Sequence, residues 1–265
     1  MRRSAFTLVL AAVLWAAVLP PVRAADMPVD LELILAVDVS LSMDVDEQQL
    51  QRDGYVAALT HPDVVSAITQ GRHGKIALSY VEWAGPTSQY TVMDWRLIDG
   101  PASARAFAAE LARAPIQRYR FTSISGGLAF AAPQFDNNGY ESKRRVIDVS
   151  GDGPNNMGIP IEMARAPVIS AGITINGLPI MIKRPGGPFS IPDLDVYYED
   201  CVIGGAGAFL VVVRSTDQFA EAIRRKLVLE IAGRTPQVIP AAAPAGGKRI
   251  DCLIGEKLRE QWMRD

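Results

Sequence analysis

The stretch LELILAVDV, residues 31–39, constrains the fold of this chain more than any other. Its apolar side chains run on without the alternation of a half-exposed strand, so it reads as a strand buried on both faces. Such a strand needs helices on either side, hence a mostly parallel sheet. The run also stops abruptly. Asp38, Ser40 and Ser42 follow at two-residue intervals, and Asp44 then stands three residues before Glu47, a capping-box spacing. One carboxylate and two hydroxyls at the end of a buried strand need a chemical explanation.

The remaining sequence continues the alternation of strand and helix. A helix over 45–59 is followed by a turn or two restarted at Pro62. KIALSYVEWA (75–84) and QYTVMDWRLI (89–98) are strands joined by GPTS, a hairpin. Helices over 101–114 and 123–135 precede the strand RRVIDVSGDG (144–153). A helix closed by Gly172, the strand ITINGLPIMI (173–182), a short helix at 192–202 and the strand AFLVVVRS (208–215) come next. The last helix, 217–231, carries Phe219, Ile223, Leu227 and Ile231 on one face, with Thr216 as its cap and Gly233 as its stop. The expected fold is α/β and doubly wound: a mostly parallel six-stranded sheet with one antiparallel strand and helices on both faces.

The ends of the chain read differently. Residues 1–24 combine a basic start, an apolar core and VRA ending at Ala24, the pattern of a cleavable signal peptide. No later segment is apolar enough to cross a bilayer, so the mature chain is expected in the periplasm or outside the cell. Removing Arg2, Arg3 and Arg23 leaves 24 basic against 29 acidic residues, a net charge of about −5. With no Lys/Arg-rich run, nucleic acid is excluded as a partner. Residues 30–233 form the domain, 234–248 a Pro/Ala/Gly linker, and 249–265 a C-terminal segment. The two cysteines, Cys201 and Cys252, are expected to form one disulfide in an exported chain. Topology puts Cys201 at the amino end of the strands and lets Cys252 reach it there.

Ligands of open α/β sheets bind beyond the carboxyl ends of the strands. Tracing the chain up and down places three segments at that end. The first strand delivers Asp38, Ser40 and Ser42, the loop PIQRYRFTS delivers Thr122, and the turn SGDG delivers Asp152. Two carboxylates and three hydroxyls make a hard oxygen site suited to Mg²⁺ or Mn²⁺. Neutral hydroxyl ligands leave the ion's charge under-compensated, so it should recruit an Asp or Glu carboxylate from a protein partner.

These residues resemble the metal-ion-dependent adhesion site (MIDAS) of von Willebrand factor A (VWA) domains. D-x-S-x-S follows the first strand, Thr122 opens a helix and Asp152 follows the fourth strand. The likeness covers about residues 30–233. VEWAG, RFTSISGGL, DVSGDGPNN and CVIGGAGAF resemble, more narrowly, a family of bacterial exported VWA-like proteins of unknown function. The resemblance implies that Ser40 and Ser42 bind the ion directly and Thr122 directly or through water. Asp38 and Asp152 then act largely through water while hydrogen-bonding the serines. Many relatives carry Gly-Gly before the threonine, where this chain has Arg120-Phe121, and Ser123 could share the role of Thr122.

Other polar residues have plainer expected roles. Asp44 and Asp46 start a helix. Asp148 lies inside a strand and should be paired or at a strand edge, Glu82 and Trp83 pack near the hairpin, and Asn155 and Asn156 cap the next helix or support the site. Lys183, Arg184 and Phe189 sit on a loop at the site end. His61 and His73 fall at the opposite end, and neither G-x-S-x-G nor H-E-x-x-H occurs. The expected function is metal-dependent protein binding rather than catalysis. A metal-assisted hydrolase on the same site, or a structural exported protein without an ion, are the alternatives.

Overall fold

The computed structural model describes residues 25–182, 187, 189–233 and 250–264. The expected signal peptide, the linker, Lys183 and Arg184 lie outside the described residues. The elements in chain order are β1 (Met27–Pro28), β2 (Glu32–Asp38), α1 (Val45–Thr60), α2 (Pro62–Thr69), β3 (Ile76–Trp83), β4 (Gln89–Ile98), α3 (Pro101–Arg113) and α4 (Ile124–Ala131). After a 3₁₀ turn at Ala132–Phe135 come β5 (Tyr140–Glu141), β6 (Arg145–Gly151), α5 (Ile161–Ser170), β7 (Ile173–Pro179) and α6 (Leu194–Tyr197). A π-turn at Tyr198–Val202, α7 (Phe219–Ala232) and α8 (Ile254–Trp262) complete it.

The main sheet has the order β4-β3-β2-β6-β7, and only the β3–β4 hairpin is antiparallel. Every residue of β2 is buried. Leu33, Leu35 and Val37 face one core with α1, α2, α3 and α7, while Ile34 and Ala36 face a second with α4, α5 and α6. This division is the physical content of the unbroken apolar run. Asp44 closes the expected capping box, accepting from the Glu47 N–H at 2.8 Å and donating its own N–H to the Glu47 carboxylate at 2.9 Å. On α7, Phe219, Ile223, Leu227 and Ile231 are all buried, each worth about 1.5–3 kcal/mol by removal from water. Gly233, at φ +64°, ends that helix in the left-handed conformation. Thr216 is not its N-cap. Gln218 holds that position, and Thr216 contributes only its backbone carbonyl to the Phe219 N–H.

Among the described residues the main sheet has five strands, not the six expected. Residues 208–215 run beside β7 but meet it only at isolated bridges. Phe209 accepts from the Gly177 N–H, and the Val211 and Val213 N–H groups donate to Gly177 and Pro179. A regular ladder would next need an N–H from Pro179, which proline lacks. The apolar run VVV has the composition of a regular strand; the interruption lies in its partner, at Pro179.

Of the two alternatives for Asp148, the structure has it paired, on the interior strand β6, in a fully buried cluster joining β6 to α7. Lys226 Nζ lies 2.5 Å from Asp148 Oδ1 and also pairs with Glu230, to which Asn176 donates at 2.9 Å. Burial, and then the Asp148 charge, push the Glu230 carboxyl up to about 7 against the pull of Lys226 and Asn176. Cys201 and Cys252 are bonded, with Cα atoms 5.5 Å apart. The bridge is not at the amino end of the strands: Cys201 precedes Gly204, which pairs with Ile175 of β7, but Cys252 O faces the Tyr197 hydroxyl at 3.5 Å, and that hydroxyl accepts the Asn155 N–H from the loop after Asp152. From there α8 climbs to the site end, which the sequence did not indicate. Among the described residues no helix is long and apolar enough to cross a membrane.

Three outcomes test this packing. Lys226→Ala should cost about 3–5 kcal/mol in chemical denaturation, because it strands two buried carboxylates. Glu230 holds its proton up to about 7 when folded but only to about 4.5 when unfolded. The folded state therefore binds more protons in that window, and this group's contribution falls as pH rises. Denaturation midpoints compared at about pH 5 and about pH 8 should show a smaller difference in Glu230→Gln than in the unsubstituted protein. Reducing the bridge, whose half-cystines are 51 residues apart, should remove up to about 4 kcal/mol of loop entropy and lower Tm by up to roughly 10 °C in differential scanning fluorimetry.

Candidate metal centre

The five oxygen-bearing residues expected from the sequence meet at the carboxyl end of the sheet. Asp38 is the last residue of β2, and Asp152 follows β6, the neighbouring strand. Thr122 lies just before α4. Ser40 bridges in parallel to Tyr119, which draws the two loops together. The Leu41 N–H donates to Tyr119 O at 2.9 Å, and Gln48 Nε2 donates to Ser40 O at 3.1 Å.

Four of the side chains are linked oxygen to oxygen, and Asp38 joins them through the Ser40 backbone. The Ser40 and Ser42 hydroxyls are 2.7 Å apart, and Ser42 Oγ donates to Asp152 Oδ1 at 2.6 Å. Thr122 Oγ1 reaches Ser40 Oγ at 3.4 Å. Asp38 Oδ1 accepts the Ser40 N–H at 2.7 Å, while its Oδ2 is buried with no hydrogen-bond partner. A buried carboxylate oxygen without a partner is costly. Burial, and then the Asp152 charge, hold the Asp38 carboxyl well above its usual range, although Ser40 pulls the other way. The site is closed below and open above: Asp38, Ser40 and Thr122 are buried, whereas Leu41 and Ser42 are exposed.

Gly151 is required by this crowding. A Cβ there would lie 2.8 Å from Asp38 Oδ2 and 2.9 Å from the Tyr198 hydroxyl. Tyr198 was not singled out by sequence, because only the close approach of α6 and its π-turn to β2 brings it under Asp38. Its hydroxyl is likewise buried and unpaired, and burial followed by the Asp38 charge raises its pKa well above normal.

The Arg120-Phe121 departure has a definite outcome. Phe121 sits at φ +69°, the region that glycine favours, so the loop keeps a glycine-like backbone at some cost. Ser123 does not join the oxygen cluster. Its hydroxyl caps α4, accepting from the Gly126 N–H at 3.1 Å. Asn155 and Asn156 do not cap α5. Asn156 Oδ1 accepts the Thr122 N–H at 2.9 Å, its N–H donates to Thr122 O at 2.8 Å, and Asn155 Oδ1 accepts the Ser125 N–H at 3.0 Å. The loop after Asp152 thus grips the loop bearing Thr122.

Glu82 and Trp83 are buried near the site. Glu82 pairs with Arg52 and the Tyr90 hydroxyl, and Arg52 also donates to Leu111 O at 2.8 Å and Ala114 O at 3.0 Å. This network anchors the end of α3 from which the Thr122 loop departs. His73 lies at the other end of the sheet, its N–H donating to Asp30 at 2.9 Å just before β2. His61 lies there too, between α1 and α2.

No curated protein sequence matches this chain. Solved structures do. Proximal thread matrix protein 1 of the mussel byssus, in a structure with a zinc-occupied MIDAS motif, superposes with a TM-score of 0.57 at 14% identity over 79% of this chain and 50% of that one. The pilus adhesin SpaC of Lactobacillus rhamnosus GG gives 0.56 at 12% identity over 79% of this chain and 31% of that one. A von Willebrand factor type A protein of Catenulispora acidiphila gives 0.51 at 16% identity over 77% and 43%. At such identities the likeness shows the fold alone, and the chain spans half or less of each of these proteins. The family described as protein of unknown function DUF1194 matches residues 28–235. The chain therefore belongs to the DUF1194 family and has the fold of a von Willebrand factor A domain.

Proposed function

We propose that this protein is an exported, metal-dependent binding module that captures a protein partner through a carboxylate. The observation that carries this reading is the orphaned, buried Asp38 Oδ2 at the root of a linked set of hydroxyl and carboxylate oxygens. Such a set fits a small hard dication. Ser40, Ser42 and Thr122 would hold it, with Asp38 and Asp152 balancing its charge, and Mg²⁺ or Mn²⁺ is the ion proposed. When bound, the ion supplies an under-neutralised positive centre able to accept an outside carboxylate. Asp152 orients the Ser42 hydroxyl, Asp38 holds the Ser40 backbone, and the buried floor excludes water from beneath.

The surface around the site supports binding rather than turnover. Eight large apolar side chains are exposed among the described residues. Six of them, Leu41, Val45, Ile159, Met163, Trp262 and Met263, belong to segments at the site end of the sheet. Apolar surface gathered around a charged centre suits a protein partner. The two histidines at the far end argue against acid–base work at the site. The Cys201–Cys252 bridge favours an oxidising compartment, hence the periplasm or the exterior, with residues 1–24 as a signal peptide and 234–248 as a linker.

Isothermal titration with Mn²⁺ tests the reading. The unsubstituted protein should bind one ion, and Asp38→Ala and Ser42→Ala should abolish binding while circular dichroism stays unchanged. Equal affinity in all three would sink the assignment. Without metal, Asp38→Asn should match or exceed the parent Tm, because it removes a desolvated carboxylate facing Asp152. With Mn²⁺ at about 100 times Kd the parent should gain about 2.7 kcal/mol and the order should reverse.

A further inference from the structure

The C-terminal helix stands where no feature of the metal-site motif requires it. Residues 250–264 pack against the loop that follows Asp152. Asn155 Nδ2 donates to Glu256 Oε1 at 2.7 Å. Gly255 lies so close that a Cβ on it would overlap the Asn155 carbonyl oxygen, with Pro154 at 3.2 Å. Tyr197 links the two segments from below: its hydroxyl accepts the Asn155 N–H at 3.2 Å and faces Cys252 O at 3.5 Å. Further along α8, the Trp262 ring meets Phe189 edge-on at 5.6 Å. The disulfide fixes the start of this segment to the π-turn that also carries Tyr198.

Asn155 and Asn156 hold the backbone of Thr122 and Ser125. A contact that fixes Asn155 therefore fixes the separation of two loops, one bearing Asp152 and the other Thr122. We infer that α8, through Gly255 and Glu256 on Asn155, is a clamp that positions these two loops and so sets the site's affinity for its dication. The inference rests on the metal-binding reading above. Glu256 and Asn155 are positioning residues, since neither joins the oxygen cluster itself. Groups that orient metal ligands from outside typically change affinity by about 10–100-fold when removed.

The clamp can be tested in the full mature chain with three substitutions and two measurements. Glu256→Ala removes the hydrogen bond, Gly255→Ala pushes the helix off sterically, and Glu256→Gln keeps an acceptor for Asn155. Mn²⁺ titration should show affinity falling about tenfold or more in Glu256→Ala and Gly255→Ala, and staying within about twofold of the parent in Glu256→Gln. Amide hydrogen exchange in metal-free protein should quicken at Thr122, Ser125 and Asn156 in the first two variants only. Unchanged affinity and unchanged exchange in Glu256→Ala and Gly255→Ala would overturn the inference, and so would a loss in Glu256→Gln equal to that in Glu256→Ala. If the parent itself binds no Mn²⁺, the metal-binding reading fails. The claim that the clamp sets affinity falls with it, and exchange alone then decides whether α8 holds the two loops.

Discussion

The structure turns on a carboxylate placed where water cannot reach it. Asp38 ends a strand whose every side chain is buried, and one of its oxygens has no partner. Nothing in the hydrophobic packing of β2 needs a charge there. Its burial raises the energy of the ionised form, and Asp152 nearby raises it further. A protein that keeps such a group sacrifices stability at that point, as sites poised for a ligand commonly do. The surrounding architecture holds this unfavourable group in place. Gly151 gives it room, Ser40 folds back onto it, and Tyr198 closes the floor.

Holding the site open demands rigid loops, and the fold supplies rigidity from several directions. The Arg52–Glu82–Tyr90 network anchors the end of α3. Asn155 and Asn156 tie the Asp152 loop to the Thr122 loop, and α8 braces Asn155 from outside. The Lys226–Asp148–Glu230 cluster joins β6, which delivers Asp152, to α7. A buried charge cluster is weak evidence for stability, but it strongly fixes relative position, because each partner is costly to leave alone. Phe121 in a left-handed conformation is a local cost that these contacts sustain.

Much of this was legible in the sequence. An unbroken apolar run implied a two-sided sheet, because strand burial is written directly in side-chain polarity. The hairpin, the Asp44–Glu47 box and the Gly233 stop are short-range signals, and each appears in the structure. Tracing strands up and down brought Asp38, Ser40, Ser42, Thr122 and Asp152 to one end, since connection direction follows from element order. The expected sixth strand is irregular because its ladder depends on a donor that Pro179, some thirty residues earlier, cannot provide. Thr216 has the residue type of a cap, but the helix starts later, with Gln218 in the capping position.

Helices on both faces of the sheet, the oxygen set at its carboxyl end and the cysteine pair can be read from the amino acids alone, because periodicity, capping and strand-end topology act over a few residues or follow from chain order. What Asn155 and Asn156 bind, the place of Tyr198 beneath Asp38 and the rise of α8 to the rim of the site emerge only on folding. Those outcomes depend on how two loops and a tethered helix approach one another in space. An amide or a hydroxyl carries no mark of its partner until packing has set that distance.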